Sequence, residues 1–149
     1  MGSAGLTGWA MTAATLLVLG ACRGAAETPQ AACRDVGPAV SADLADRLTV
    51  AGGGTVSSAK YVALQPPAEG AAVPGAWYAV AATLEGPGVK ALKAAWITTA
   101  DLSRDEPGGR WYSADDMAVE FSTHPAPSDV PSWVVSSPGI LGAAACLQE

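Results

Sequence analysis

The stretch WYAVAATLEGPG, residues 77–88, decides the fold of this chain. The side chains of residues 77–84 alternate between the two faces of an extended strand, with Val80 on one face and Trp77 on the other. The EGPG that follows is typical of a tight turn. Residues 89–99 end in the strand-favouring sequence WITT and therefore predict the second strand of a hairpin, although their middle part, VKALKAA, suits a helix equally well.

The segment before this hairpin predicts one more strand and a helix. Residues 55–65 alternate in part and are closed by two prolines, which is typical of a strand. Residues 38–49 carry Val40 and Leu44 four positions apart among charged residues, a spacing that predicts an amphipathic helix. Pro38 suits the first turn of this helix, and the triple glycine after residue 51 ends it.

Two further helices are predicted after the hairpin. Residues 114–122 form one of them, with Ser113 as its cap and two aspartates in a first turn where the helix dipole favours negative charge. Residues 138–147 suit a short helix that is capped by Ser137 and begins with a proline. The order of these elements predicts an α+β fold, in which two to three helices pack on one face of a small three-stranded antiparallel meander.

The sequence LLVLGAC, residues 16–22, ends an amino-terminal run that has no charged side chain. This run is too short and too rich in glycine and threonine for a membrane span, but it is typical of a secretory signal. LGAC resembles the bacterial lipobox, in which Leu, two small residues and Cys close a signal peptide and the Cys receives a diacylglyceryl group. The alternatives are an ordinary cleaved signal, with Cys22 free or in a disulfide, and an uncleaved helical anchor.

The lipobox resemblance implies an organisation for the whole chain. Residues 1–21 would be the signal peptide, residues 22–32 a flexible linker that begins with the lipid-bearing Cys22, and residues 33–149 a single globular domain. The protein would be anchored by lipid to the outer face of the cytoplasmic membrane. We expect it to be a monomer there.

The three cysteines leave one thiol unpaired in an exported protein unless one of them has another use. With Cys22 lipidated, Cys33 and Cys146 remain, and an oxidising compartment favours a disulfide between them. Their separation excludes a CxxC redox motif, and one histidine with two distant cysteines makes a poor zinc site. We therefore predict a structural disulfide that closes nearly the whole domain, and we predict neither a metal nor a cofactor.

Four short segments from Trp77 onward follow one another in a fixed order: WYAVAATLEGPG, AAWITTADL, SADDMAVEFS and a closing AAACL. In this order they resemble small uncharacterised secreted or lipid-anchored proteins of high-GC Gram-positive bacteria. The resemblance implies a related fold and a location at the cell surface. It supplies no catalytic residues.

The charge balance excludes one class of partner. The chain carries 8 Lys and Arg residues against 14 Asp and Glu residues, which gives a net charge of −6. Nucleic-acid binding requires clustered basic side chains, whereas the basic residues of this chain are scattered singly. We expect no nucleic-acid partner, and the acidity favours solubility.

The polar residues form no recognisable catalytic grouping in the sequence. His124, the only histidine, lies in a predicted surface loop, and no G-x-S-x-G motif accompanies it. Residues 101–106 place oxygen ligands at alternate positions, but Glu106 stands where a calcium loop requires glycine. A small extracytoplasmic hydrolase is the alternative function, and it would use Asp105, Glu106, Asp115 or His124.

Large aromatic side chains form the remaining candidate site. In a small alanine-rich domain such residues favour core packing, but together on one exposed face they would bind a sugar or a peptide. The residues are Trp77, Trp96, Trp111, Tyr112 and Trp133. We expect a non-enzymatic binding or accessory domain whose partner is a protein or glycan of the cell envelope. A sugar- or peptide-binding module that uses these aromatic residues is the second alternative.

Overall fold

The computed structural model describes residues 32–67, 75–106 and 108–148. The predicted signal peptide, Cys22 and all but the last residue of the predicted linker lie outside these ranges. Within them, no helix combines the length and the apolar character that crossing a membrane requires.

The predicted hairpin forms the centre of the sheet. Its strands are β3, Tyr78–Gly86, and β4, Val89–Thr98, which pair antiparallel. Pro87 and Gly88 alone connect them, and Gly88 has a φ of +78°, a left-handed conformation that glycine adopts without steric cost. Residues 89–98 are therefore extended and not helical, which confirms the predicted hairpin.

The sheet has five antiparallel strands in the order β1-β2-β3-β4-β5, so the prediction of three strands was wrong. β2, Thr55–Ala63, is the third of the predicted strands. The two additional strands lie at the edges and are β1, Arg34–Asp35, and β5, Trp111–Ser113. With two and three residues they are too short to show an alternating pattern, and their pairing with β2 and β4 holds them extended.

The first helix, α1, comprises Pro38–Asp46 and begins at the predicted proline. It ends before the predicted residue 49 because the residues that follow it form backbone hydrogen bonds with the end of the second helix. Leu48 forms an isolated antiparallel bridge with Ser122, and the backbone N–H of Thr49 donates to the carbonyl of Phe121. These hydrogen bonds replace the last predicted turn of the helix and connect the two halves of the chain.

The second helix, α2, comprises Asp116–Phe121. Its cap is Asp115, whose carboxylate accepts a hydrogen bond from the backbone N–H of Ala118 at 2.7 Å. The predicted cap, Ser113, belongs instead to β5.

The carboxy-terminal segment forms α3, Ser132–Val135, and α4, Gly139–Ala145, which continues as the 3₁₀ turn Cys146–Gln148. The predicted disulfide between Cys33 and Cys146 is present, with 5.8 Å between the two Cα atoms. It links the start of β1 to the last helical turn across a sequence separation of 113 residues.

Helices cover both faces of the sheet, whereas the prediction placed them on one face. α1 and α2, here called the first layer, pack on the face that contains Val80 and Trp96. α3, α4 and the 3₁₀ turn, here called the second layer, pack on the face that contains Ala79 and Ile97. Both alternating sets of side chains in β3 and β4 are largely apolar, and a sheet with two apolar faces requires cover on both sides.

Candidate functional site

An open cleft of about 380 Å³ lies between α1 and the loop that joins β4 to β5. The described residues that line it are Ala39, Asp43, Arg47, Asp105, Glu106, Gly108, Gly109 and Trp111. The cleft therefore combines charged side chains of both signs with one aromatic ring.

The helical side of the cleft carries an ion pair. Asp43 lies on α1 and Arg47 caps its carboxy-terminal end one turn further on, and Arg47 Nε lies 3.2 Å from Asp43 Oδ2. Val40 and Leu44 of the same helix are buried in the core, and this burial fixes which side of α1 faces outward. Exposed pairs of this kind contribute only about 0.3–0.5 kcal/mol, so a ligand can compete for either partner at little energetic cost.

The loop side of the cleft carries two exposed carboxylates, Asp105 and Glu106, and neither forms an ion pair with another described residue. Gly109 turns this loop back onto the end of β4 with a φ of +75°. A Cβ atom at Gly109 would lie 2.5 Å from the backbone nitrogen of Ala100, so the close approach requires glycine.

Asp101, considered above as the first ligand of a calcium loop, is engaged within its own turn. Its Oδ1 accepts hydrogen bonds from the hydroxyl and the backbone N–H of Ser103, and these bonds lower the pKa of the Asp101 carboxyl. Arg104 Nε lies 3.9 Å from the other carboxylate oxygen. Among the described residues, no group of three or more His, Cys, Asp and Glu side chains could hold a metal ion.

Trp111, at the sheet side of the cleft, stacks on His124. Their ring centroids are 5.7 Å apart, and the ring planes differ by 26°. His124 was expected in a surface loop but is only 8% exposed. Its Nε2 is buried and has no hydrogen-bond partner in the part of the chain that the structure describes. A Ser-His-Asp hydrolase needs its histidine hydrogen-bonded to the serine, and this nitrogen makes no such bond there.

Burial lowers the pKa of His124, the positive charge of Arg47 lowers it further, and the negative charge of Asp43 acts in the opposite direction. In the unfolded chain the imidazole takes up a proton as the pH falls below about 6.5, whereas the folded protein resists protonation. The unfolded state then binds more protons than the folded state. We therefore expect the free energy of unfolding to fall as the pH decreases from about 6.5 towards the lower pKa of the folded state.

Urea unfolding at a series of pH values between about 7.5 and 5 measures this effect, since the carboxylates titrate mainly below that window. His124→Phe retains a ring against Trp111 but removes the titrating group. In this variant the free energy of unfolding should no longer fall as the pH decreases from about 7.5 to 5. An equal loss in the variant and the parent protein would show that another group causes it.

A network of buried polar groups, which was not predicted, holds the segment after α2 against the sheet. Trp96 Nε1 donates a hydrogen bond to Ser122 Oγ at 3.1 Å, and Ser122 Oγ donates to the carbonyl of Ala118 at 2.6 Å. Ser113 Oγ donates to the backbone carbonyl of His124 at 2.9 Å. These bonds satisfy groups that would be costly to bury alone, and they position His124.

The five predicted aromatic residues do not share one surface. Trp77 and Tyr112 lie on the second face with ring centroids 6.4 Å apart, whereas Trp96 and Trp111 lie on the first face. These four side chains are buried, with exposed fractions of 9% or less. Trp133 is half-buried at the edge of the second face. Of the five, only Trp111 lines the cleft.

The hydroxyl group of Tyr112 takes part in a hydrogen-bond network. Its hydroxyl donates to Asp129 Oδ1 at 2.7 Å, and Arg110 Nη1 lies 2.8 Å from Asp129 Oδ2. The hydrogen bond from Tyr112 lowers the pKa of Asp129, and the same bond raises the pKa of Tyr112. This network joins β5 to the loop before α3.

The four residues considered for a hydrolase have three different environments. Asp105 and Glu106 line the cleft. Asp115 caps α2, where its carboxylate is already bonded to the helix backbone. His124 stacks on Trp111 and is buried.

Two of the cleft residues, Asp43 and Arg47, were not predicted as site residues. Their spacing of four positions on the polar side of a predicted helix is visible in the sequence. Nothing in the sequence indicates that this side of the helix lies against residues 105–109, since only the folded sheet brings the two segments together.

The cleft has the chemistry of a site for a positively charged group. Asp43 and Arg47 balance one another, so the excess charge of the lining comes from Asp105 and Glu106, and Trp111 adds the small part of its ring that is not buried. The chain matches no protein-family model, no curated protein sequence and no solved structure.

Proposed function

We propose that the chain is an extracytoplasmic lipoprotein, anchored by Cys22 to the outer face of the cytoplasmic membrane, with a monomeric domain that binds a partner in the cell envelope. The observation that carries this proposal is the LGAC sequence at the end of a charge-free apolar run. The disulfide supports it, because such bonds persist in oxidising compartments outside the cytoplasm. The resemblance of the domain to small proteins of high-GC Gram-positive bacteria agrees with a location at the cell surface.

Metabolic labelling with an alkyne fatty acid tests the anchor. We expect the label on the protein in the membrane fraction of a host that processes lipoproteins. Cys22→Ala should carry no label and should leave the membrane fraction, because no other cysteine follows a lipobox. Cys33→Ala is the matched control and should keep the label. Unlabelled parent protein, or a Cys22→Ala protein that stays in the membrane, would disprove the anchor.

We further propose that the cleft binds a lysine or arginine side chain of a protein partner. Asp105 and Glu106 are exposed and have no ion-pair partner among the described residues, so both can receive a cation. Trp111 lines the cleft beside them, but it is 9% exposed and one face of its ring stacks on His124, so it contributes apolar contact and not an open ring face. The proposal retains the peptide-binding alternative but assigns it to one tryptophan and two carboxylates.

Titration with short lysine and arginine peptides, followed by the backbone NMR signals of Gly108 and Gly109, tests the cleft. We expect the paired change Asp105→Asn with Glu106→Gln to weaken binding by about five- to tenfold, as loss of two partly screened charges predicts. Asp116→Asn with Glu120→Gln is the matched control, since it removes the same charge from exposed positions on α2. Equal weakening by both pairs would show only non-specific attraction to an acidic protein.

A further inference from the structure

The segment that forms the second layer carries no charged side chain. Val130–Gln148, which contains α3, α4 and the 3₁₀ turn, is a run of 19 residues without a single charged side chain, although the chain carries 22 such residues in all. Two large apolar side chains on it face solvent: Leu141 is 77% exposed and Val135 is 46% exposed. Large apolar side chains that face solvent from an uncharged segment make that segment a candidate interaction surface.

The first layer differs in charge. Asp46 at the end of α1, its cap Arg47, and Asp116 and Glu120 of α2 are all exposed. Its large exposed apolar side chain, Val119, therefore has acidic residues close by on the same short helix. The two layers present chemically different surfaces on opposite sides of one sheet.

The linker joins the domain on the side of the second layer. Cys33 packs against the apolar cluster of the second face, and its disulfide partner Cys146 follows directly after α4. Cys22 precedes Cys33 by eleven residues. Linkers of eleven small and polar residues have a root-mean-square span of about 17–20 Å. A lipid on Cys22 would therefore hold the edge of the uncharged layer close to the bilayer.

We propose that the outer surface of α3 and α4 lies on the phospholipid surface, with Leu141 and Val135 at the interface. This inference rests on the proposed anchor at Cys22. A net charge of −6 disfavours contact between the acidic surfaces of the protein and an anionic membrane, and approach through an uncharged face minimises this repulsion. The anchor keeps the domain at a high effective concentration near the bilayer, so even a weak apolar contact determines its orientation.

This orientation has a consequence for the cleft. α1 and the loop from β4 to β5 contact the opposite face of the sheet, where Trp111 belongs to the first cluster. With the second layer against the membrane, the cleft opens away from the lipid and towards a partner in the envelope.

Photo-crosslinking from single positions of the full-length protein tests the orientation. Leu141→p-benzoylphenylalanine places the crosslinker on the second layer, and Val119→p-benzoylphenylalanine is the matched control on the first layer. Both positions are exposed, so neither substitution disturbs the core. After illumination of native membranes, the intact mass of the purified protein reports adducts with phospholipid. We expect about fivefold or more phospholipid adduct at position 141 than at position 119.

Equal adduct formation at the two positions, or none at position 141, would overturn the inference. Crosslinking of position 141 to a second copy or to another protein would assign this surface to that partner and would also overturn it. The membrane fraction is measured before illumination. If the protein is absent from that fraction, both the anchor and the orientation are disproved. If the protein is in that fraction but position 141 forms no more phospholipid adduct than position 119, only the orientation is disproved.

Discussion

Replacing Cys33 and Cys146 together with alanine is expected to lower the free energy of unfolding of the domain by about 4–5 kcal/mol. The disulfide closes a loop across 113 residues and therefore restricts nearly the whole unfolded domain. In the chain-entropy description, the stabilisation rises with the length of the closed loop. Small domains have only about 5–15 kcal/mol of stability in total, so the variant should be close to unfolding.

Urea unfolding of the parent protein and the double variant measures this loss. The dependence of the unfolding free energy on urea should also steepen, because the unfolded chain without the disulfide is more expanded and exposes more surface. Cys22→Ala is the control and should leave domain stability unchanged, since Cys22 precedes the domain. A double variant within about 1 kcal/mol of the parent protein would contradict a stabilising disulfide.

Trp96→Ala is expected to lower the free energy of unfolding by about 3–5 kcal/mol, the range for truncation of a fully buried large aromatic side chain. Trp96 is 0% exposed and is the largest fully buried side chain of the described domain. Its ring packs between the sheet and the first layer, and its Nε1 donates to Ser122 Oγ. The truncation therefore opens a cavity and removes a buried hydrogen bond.

Trp96→Phe separates the two contributions. It retains an aromatic ring in the core but removes the N–H donor. We therefore expect its free energy of unfolding to lie between that of the parent protein and that of Trp96→Ala. Thermal or urea unfolding provides the comparison. A loss below about 1.5 kcal/mol for Trp96→Ala would contradict the packing of the first layer on this face of the sheet.

The centre of the fold could be predicted from the sequence because its signals are local. Alternation in residues 77–84 and the turn at Pro87 and Gly88 define the hairpin without any distant contact. β1 and β5 could not be predicted in the same way. Their few residues are extended only because β2 and β4 offer free edges for pairing.

The sequence indicates cover on the second face, although the prediction placed the helices on one face only. Ala79 and Ala81 alternate with Val80 and Ala82, and all four are fully buried. A strand with one solvent-exposed face carries polar residues at every second position, so two apolar sets predict helices on both sides.

The cleft combines segments that are distant in the chain. The acids of the loop, Asp105 and Glu106, could be identified as candidates from the sequence alone. The pairing of Asp43 with Arg47 and the choice of Trp111 among the tryptophans depend on the docking of α1 beside β5. Contacts of this kind between distant segments leave no periodic signal in a single sequence.

The central claim is that a disulfide-linked domain is carried by a lipid on Cys22. Intact-mass spectrometry of the non-reduced protein, extracted from membranes, tests it most directly. We predict the mass of residues 22–149 with a diacylglyceryl-bearing amino-terminal cysteine, less the hydrogens lost in one disulfide. A mature protein that lacks the lipid, or one that retains residues 1–21, would contradict the claim.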